Sequence, residues 1–521
     1  MADVVREIER KYEATDRTRL PDLDVRGVRS VVAPGAVALD ATYYDTSDHR
    51  LAADGVTLRR RTGGSDSGWH LKLPVEPGVR EEIRAPLTDG PDLPVELTSL
   101  IRSRVRGEPL VPVVRLRQER EPLHLLGADG ELLAEVSVDH VAAERFGPGG
   151  GTAAWTEVEA ELGEGQDPAL LDRIEKRLRG AGLRRASAVS KLERALTETE
   201  PSRLAKEVVA ARDGKGRDAA PGKAGKGGKP ATAGDAVLRY VTEQIRTLVA
   251  LDPAVRRDLP DSVHRMRVAT RRLRSCFRSY GKVLDRDVTR PVGEELKWLA
   301  AELGVDRDRE VLYGRLAERA AELPEDLRVG PVEARLATSS HISRDGSRQR
   351  LLAVLDGPRY LALLEALAAV RTHPPLLPGA GKKPRAVLRK AVHRDFERLA
   401  TYVGEALAAP SGDVRDVAAH EARKAAKRTR YAAEVARPVF GERAKRYAKR
   451  MTELQELLGE HQDSVVARAA LRDLALQAHA AGEPSFSYGV MHAHETARAT
   501  ACEHGLPALW RSITSKDEGH L

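Results

Sequence analysis

A histidine followed by cations at +3, +7, +8 and +10 occurs twice in this 521-residue chain, at His264 and again at His420, 156 positions later. On an α-helix, offsets of 0, 3, 7 and 10 return to one face. One copy aligns His264, Arg267, Arg271 and Arg274, and the other His420, Arg423, Lys427 and Arg430. At 1.5 Å of rise per residue each stripe runs about 15 Å. The acidic partners that usually stand one turn away are missing: positions 264–274 hold no Asp or Glu, and the second copy has only Glu421, off the stripe. Such a stripe repels itself unless a polyanion neutralises it. Two of them imply a large multivalent anion, or two walls around one.

The repeat reaches beyond the stripes. Leu299, Leu303, Gly304 and Asp308 match Leu454, Leu458, Gly459 and Asp463, each 155 residues later, so one inserted residue separates the two registers. This predicts an all-α region over 235–510 containing two homologous bundles, about 236–325 and 380–477. Residues 329–378, with Pro331, Pro358 and Pro374-Pro375, would connect them.

Composition excludes several classes. A chain with 41% hydrophobic and 31% charged residues is long enough for several domains with real cores. Aromatic residues make up only 4%, too few for general base stacking, so nucleic acid is not the expected partner despite the net charge of +8. Cys276 and Cys502 cannot build a disulfide framework, which suits a reducing compartment. Met1 to Tyr12 has no apolar signal core, and no run approaches the roughly 20 apolar residues of a membrane span. The expectation is a cytoplasmic protein without membrane contact.

Charge also divides the chain. Residues 1–200 hold 29 Lys+Arg against 36 Asp+Glu, whereas the remainder holds 57 against 42. The first part reads mainly as β: Val5–Tyr12, Val56–Arg61, Trp69–Leu73, Val113–Gln118, Leu132–Asp139 and Ala154–Leu162 alternate. Turns at Gly63-Gly64, Asp129-Gly130 and Gly147–Gly151 separate them, and an amphipathic helix is predicted over Pro168–Gly180. Residues 201–234, rich in Gly, Ala and Lys, have nothing to bury and read as a flexible linker.

Even spacing puts polar residues on nearly every strand: Glu7, Glu9 and Lys11; Arg59 and Arg61; His70 and Lys72; Arg80 and Glu82; Arg115 and Arg117; Glu135 and Asp139; Glu157, Glu159 and Glu161. So many polar faces cannot all pack against an ordinary core. A closed barrel with a polar, ligand-filled lumen and apolar residues packed outward resolves the conflict. Carboxylates in such a lumen suit Mg²⁺ or Mn²⁺, and its cations suit phosphate oxygens. The sequence leaves open whether Arg115, Arg117 or Arg120 enters the lumen.

Residues 1–200 resemble a CYTH domain, of the triphosphate tunnel metalloenzyme superfamily. The resemblance rests on Glu7-Ile8-Glu9-Arg10-Lys11, Tyr43-Tyr44-Asp45-Thr46, Gly55 to Arg61, Trp69 to Leu73, Glu157-Val158-Glu159 and Ser190-Lys191. It implies an eight-stranded antiparallel tunnel that cleaves triphosphate-type substrates with Mg²⁺ or Mn²⁺. Glu7, Glu9, Asp139, Glu157 and Glu159 would hold metal, and Lys11, Arg59, Arg61, Lys72 and Lys191 would bind phosphate. Glu7, Glu9 and Lys11 form the implied catalytic set.

Residues 235–510 resemble a CHAD domain, the conserved-histidine α-helical module. The carriers are the two His-plus-cation stripes, with Lys424 and Tyr431 in the second, and the paired Leu-Gly and Asp positions. The resemblance implies two four-helix bundles around a basic cavity or groove that binds inorganic polyphosphate. His264, Arg267, Arg271, Arg274, His420, Arg423, Lys424, Lys427 and Arg430 would make the contacts, with Arg272 and Arg428 flanking the groove. Asp308 and Asp463 would either orient these cations or cap helices. The whole chain then reads as a metal-dependent triphosphatase or polyphosphate hydrolase, whose helical domain holds the polymer. A non-catalytic protein that binds polyphosphate or targets its granules is the alternative.

Overall fold

The computed structural model describes residues 3–88, 90, 92–147, 150–199, 229–341 and 344–515, without the side chains at 305–307, 339–341 and 344–347. It forms two compact units, Met1–Asp218 and Ala219–Leu521. Residues 201–228, most of the stretch read as a linker, lie outside the described residues.

The first unit contains strands β1 (Asp3–Ala14), β2 (Ser30–Val32), β3 (Val37–Asp45), β4 (Thr57–Thr62), β5 (Gly68–Glu76), β6 (Val79–Ala85), β7 (Val111–Leu126), β8 (Leu132–Arg145), β9 (Thr152–Leu162) and β10 (Arg184–Arg185). Eight close into an antiparallel barrel in the order β1-β6-β5-β4-β3-β7-β8-β9, and β9 pairs back with β1. The short β2 and β10 add to β7 and β1. Gly63 turns the chain from β4 into β5 at φ +84°, where a Cβ would lie 2.2 Å from the Ala38 carbonyl oxygen. Both conditions require glycine.

Register brings the polar positions together. Lys72 stands opposite Glu82, Arg59 opposite His70, Lys11 opposite Glu159, and Asp139 opposite Glu157. Directly opposed residues share a face, so these pairs line one lumen. The alternate residues pack outward. Ile8 and Tyr12 meet Leu170, Ile174 and Leu178 of α3 (Ala169–Gly180). Leu58, Leu71 and Ile83 meet Leu97, Leu100 and Ile101 of α2 (Val95–Val105); α1 (Arg50–Ala53) is a single turn nearby. Each fully buried Leu or Ile contributes roughly 1.5–3 kcal/mol. The hydrophobic cores thus lie outside the barrel wall. One end of the lumen differs: Ala41, Leu116, Val141, Ala143 and Trp155 pack against Leu192, Ala195 and Leu196 of α4 (Lys191–Thr199), which caps that end.

The second unit is helical: α5 (Ala233–Arg256), α6 (Ser262–Ser279), α7 (Arg286–Glu302), α8 (Val305–Ala321), α9 (Val332–His341), α10 (Arg344–Asp356), α11 (Pro358–Thr372), α12 (Pro384–Ala408), α13 (Asp413–Phe440), α14 (Glu442–Ala480) and α15 (Phe486–Thr514). A capping box between Thr232 and Asp235 starts α5. The stripes lie on α6 and α13, the second helix of each half. Met266, Ala269, Leu273 and Phe277 bury the opposite face of α6, while Ala422, Ala425, Ala426 and Ala432 line the buried face of α13. Alanines there allow close approach, and the Tyr280 hydroxyl donates to the Ala432 carbonyl at 2.8 Å.

The connecting stretch 329–378 is largely three helices, α9 to α11. Pro331 precedes α9 and Pro358 is the first residue of α11, whereas Pro374-Pro375 follow the end of α11. The second half continues through α15 to Thr514. Among the described residues, no helix is long and apolar enough to cross a membrane.

Candidate functional site

The lumen has two chemically distinct walls. On β8 and β9, Asp139, Glu157 and Glu159 bring carboxylate oxygens within 4.8 Å of one another, and all three residues are buried. Lys191, the first residue of α4, enters this trio: its Nζ lies 2.8 Å from Asp139, 3.0 Å from Glu157 and 2.5 Å from Glu159. Burial alone would depress the Lys191 ammonium, but Asp139 and Glu157 outweigh it and hold its pKa above the ordinary lysine value. Burial would likewise raise Asp139, but Lys191 and Arg120 hold it well below the carboxylate range. Three hard oxygens already converging on a cation are a donor set that fits Mg²⁺ or Mn²⁺.

Glu7 and Glu9 are not part of this trio. Glu7 accepts from Lys72 at 2.6 and 2.7 Å, and Glu9 pairs with Lys11 at 3.0 Å and Arg80 at 3.8 Å. Burial opposes ionisation of Glu9, yet Lys11, Lys72 and Arg80 hold its pKa low. Lys11 bridges the walls by also donating to Glu159; burial depresses its ammonium despite Glu9.

Of the predicted phosphate ligands, Lys72 and Arg59 converge on Glu82, at 3.4 and 3.5 Å. Arg61 pairs with Asp66, and burial together with Arg59 lowers it to about 9. Sequence spacing underweighted three lumen residues. Glu82, fully buried, also meets Arg84 at 2.5 Å and His70 Nδ1 at 2.8 Å. Arg80 stands beside Glu9. Arg120 is the β7 arginine that enters, reaching Asp139, Glu159 and Glu135 at 2.9, 2.6 and 3.2 Å. Arg115 instead pairs with Asp40 and Arg117 with Glu144 on more exposed ground. Even spacing carried the signal for Arg80 and Glu82; Arg120 has the opposite parity to Arg115 and Arg117, and β7 register decided which face reached the carboxylates.

In the helical unit, α6 and α13 bring the two stripes together. The Lys427 ammonium is lowered to about 8 by burial, then by Arg423 and by Arg271 of the other stripe. Arg271, Arg274 and Lys427 form no ion pair within 4.0 Å among the described residues. The +3 arginines are held differently. Arg267 donates to both oxygens of Asp308 at 2.8 and 3.0 Å, and Arg423 reaches Asp463 at 3.5 Å. The Leu-Gly motif supplies the space: a Cβ on Gly304 would lie 2.8 Å from Arg267 Nη2, and one on Gly459 would lie 3.2 Å from Arg423 Nη2.

The remaining predicted contacts are less uniform. His264 is exposed, and His420 is half-buried and hydrogen-bonded to Gln462; burial and then Lys424 lower its pKa. Lys424 is exposed and paired with Glu421 at 2.6 Å. Arg430 lies 3.7 Å from Glu434. The +8 arginines hold the helices instead of flanking a groove. Arg272 of α6 crosses to Glu434 of α13 at 3.0 Å, and Arg428 of α13 reaches Asp395 of α12 at 3.0 Å and Ser279 of α6 at 3.4 Å.

Comparison with known proteins follows the same division. The CYTH domain family matches residues 5–196, and the CHAD domain family matches residues 239–472. The uncharacterized protein Rv2226 of Mycobacterium tuberculosis is 36% identical over 524 residues, covering 97% of this chain and 96% of its own length. Two solved structures resemble the chain in part. The CHAD domain from the plant Ricinus communis is 25% identical, with TM-score 0.43, covering 56% of this chain and 98% of its own. PptA from Streptomyces chartreusis is 21% identical, with TM-score 0.44, covering 54% and 99%.

Proposed function

The chain belongs to the proteins that join a CYTH domain to a CHAD domain, and we propose that it hydrolyses phosphoanhydride bonds in the barrel while its helical unit holds inorganic polyphosphate. CYTH-family proteins often act as triphosphatases or cyclases. The observation that carries the hydrolytic reading is the divided lumen, with a buried carboxylate trio on one wall and Lys72, Arg59 and Arg61 on another. In this reading Asp139, Glu157 and Glu159 hold Mg²⁺ or Mn²⁺, which supplies charge neutralisation and an activated water when bound.

The chain's own residues do the rest. Lys72, Arg59 and Arg61 orient the phosphoryl oxygens and take up their charge. Lys11 bridges cationic and carboxylate walls, where the terminal phosphoryl group would lie. Glu7 holds Lys72 in position, and Glu9 holds Lys11 and Arg80. The helical unit contributes affinity: Arg271, Arg274 and Lys427 have no close acidic partner among the described residues and suit a polymer carrying about one charge per phosphate. Carrying both domains on one chain would raise the local concentration of polymer at the barrel. A cytoplasmic site of action, on or near polyphosphate granules, belongs to the same reading.

One observation favours a second reading, a non-catalytic polyphosphate-binding protein: Lys191, Lys11 and Arg120 already satisfy the trio. Phosphate release from tripolyphosphate with Mg²⁺ or Mn²⁺ separates the two. Hydrolysis that is lost in Glu7→Ala/Glu9→Ala supports the first reading. Absence of hydrolysis with intact polyphosphate binding leaves the second, and undiminished release in the variant removes Glu7 and Glu9 from the site. A panel of tripolyphosphate, thiamine triphosphate, ATP and long polyphosphate then identifies the substrate.

A further inference from the structure

We infer that Lys191 is an internal occupant of the metal position, a latch that must leave the Asp139/Glu157/Glu159 trio before a divalent cation can enter and that then serves the substrate. The inference rests on the functional reading above. The geometry is specific. Among the described residues the trio is the one buried all-carboxylate group whose oxygens converge, and a single ammonium lies 2.5–3.0 Å from all three members. Lys191 is only 7% exposed, so the contact is not a solvated surface pair. A divalent cation and this ammonium cannot share three oxygens that already lie so close together.

The placement of Lys191 makes the exchange local. It is the first residue of α4, and the apolar face of that helix (Leu192, Ala195 and Leu196) stays packed in the capped end of the barrel. The helix can remain docked while the four-carbon lysine stem changes rotamer. Arg120 and Lys11 continue to meet Asp139 and Glu159 from the other side. Once released, the ammonium remains in the lumen, with phosphate oxygens as its available partners. Substrate phosphate therefore draws Lys191 off the trio, and the cation finds its ligands when substrate is present. By linkage, the substrate-free protein should bind metal weakly.

The test is a count of free Mn²⁺ by electron paramagnetic resonance during titration of the full-length protein without substrate. Binding that disappears in Glu157→Gln is assigned to the trio. Lys191→Met keeps the stem and removes the charge; Lys191→Arg keeps a charge and serves as the folding control. If the latch is closed nine-tenths of the time or more, Lys191→Met binds Mn²⁺ at least about tenfold more tightly than the native chain. Lys191→Arg stays weak. With tripolyphosphate bound, the native chain and Lys191→Met converge. Equal or weaker Mn²⁺ binding by Lys191→Met, with a native-like melting transition, overturns the latch and leaves the hydrolytic reading intact. Absence of trio-dependent Mn²⁺ binding in every variant, with or without tripolyphosphate, overturns both.

Discussion

Arg267 donates two parallel hydrogen bonds to Asp308, and its guanidinium lies over Gly304, where a side chain would intrude to 2.8 Å. Arg423, Asp463 and Gly459 repeat the arrangement in the second half, with looser distances of 3.5 and 3.2 Å. Asp308 and Asp463 thereby act on the stripe cations, and the paired Leu-Gly sequence provides clearance for them. Gly304→Ala is expected to displace Arg267 and weaken polyphosphate binding by about three- to tenfold, roughly the net worth of one ordinary hydrogen bond because the arginine is displaced and not removed. Gly459→Ala is expected to weaken it less. Titration calorimetry with a defined-length polyphosphate checks the order; a larger effect from Gly459→Ala would contradict it.

Adjacent arginines should separate binding from stability. Arg271 forms no ion pair among the described residues, whereas Arg272 joins α6 to α13 through Glu434. Arg271→Met is expected to lose about tenfold in polyphosphate affinity, show a shallower dependence on salt, and keep its melting temperature. Arg272→Met is expected to destabilise the helical unit by roughly 1–3 kcal/mol, leaving Glu434 without one of its cations, and to change affinity less. Thermal unfolding and binding at several salt concentrations measure both.

Polyphosphate binding should take up protons at mildly alkaline pH. Burial, Arg423 and Arg271 lower free Lys427 to about 8, so it sheds its proton as pH rises through that value. A bound polyanion favours the charged form and raises the pKa again. Affinity therefore falls above about pH 8, and binding at pH 8.5 absorbs protons. Calorimetry in two buffers of different ionisation enthalpy reads the uptake directly. Lys427→Arg should abolish it, because guanidinium stays charged throughout this range.

Within the barrel, Glu82 is a structural counter-charge. It is fully buried between Lys72, Arg59, Arg84 and His70. Glu82→Gln removes the buried carboxylate that Arg59, Arg84 and Lys72 share and is expected to cost roughly 3–5 kcal/mol of barrel stability. Denaturant unfolding followed at Trp69, which packs outside the same strand pair, would show the loss; an unchanged midpoint would exclude this role.

Much of this architecture was readable from alternation and period. Parity alone assigned Glu7, Glu9, Lys11, Lys72, Glu157 and Glu159 to one lumen, because a one-residue shift would move every charge to the outer face. The +3, +7 and +10 spacing likewise put each cation stripe on one helix. Parity does not measure distance along a strand. Spacing left open which of Arg115, Arg117 and Arg120 enters: Arg120 lies on the opposite face of β7 from the other two, and register puts it opposite Asp139. The family resemblance grouped Glu7 and Glu9 with Asp139, Glu157 and Glu159, whereas barrel closure puts Lys72, Lys11 and Arg80 beside the first two.

The sequence by itself determined the two halves, the alternating charged face, the duplicated stripe and the families that contain them. These follow from periodicities of 2 and 3.6, which are local properties of the backbone. Tertiary structure alone decided which charges meet. It brought Lys191 from α4 into a trio on β8 and β9, set the two stripes against each other across α6 and α13, and assigned Arg272 to holding helices while Arg271 has no ion pair among the described residues. Coulomb energies depend on separation and burial, and both are set only when distant segments pack.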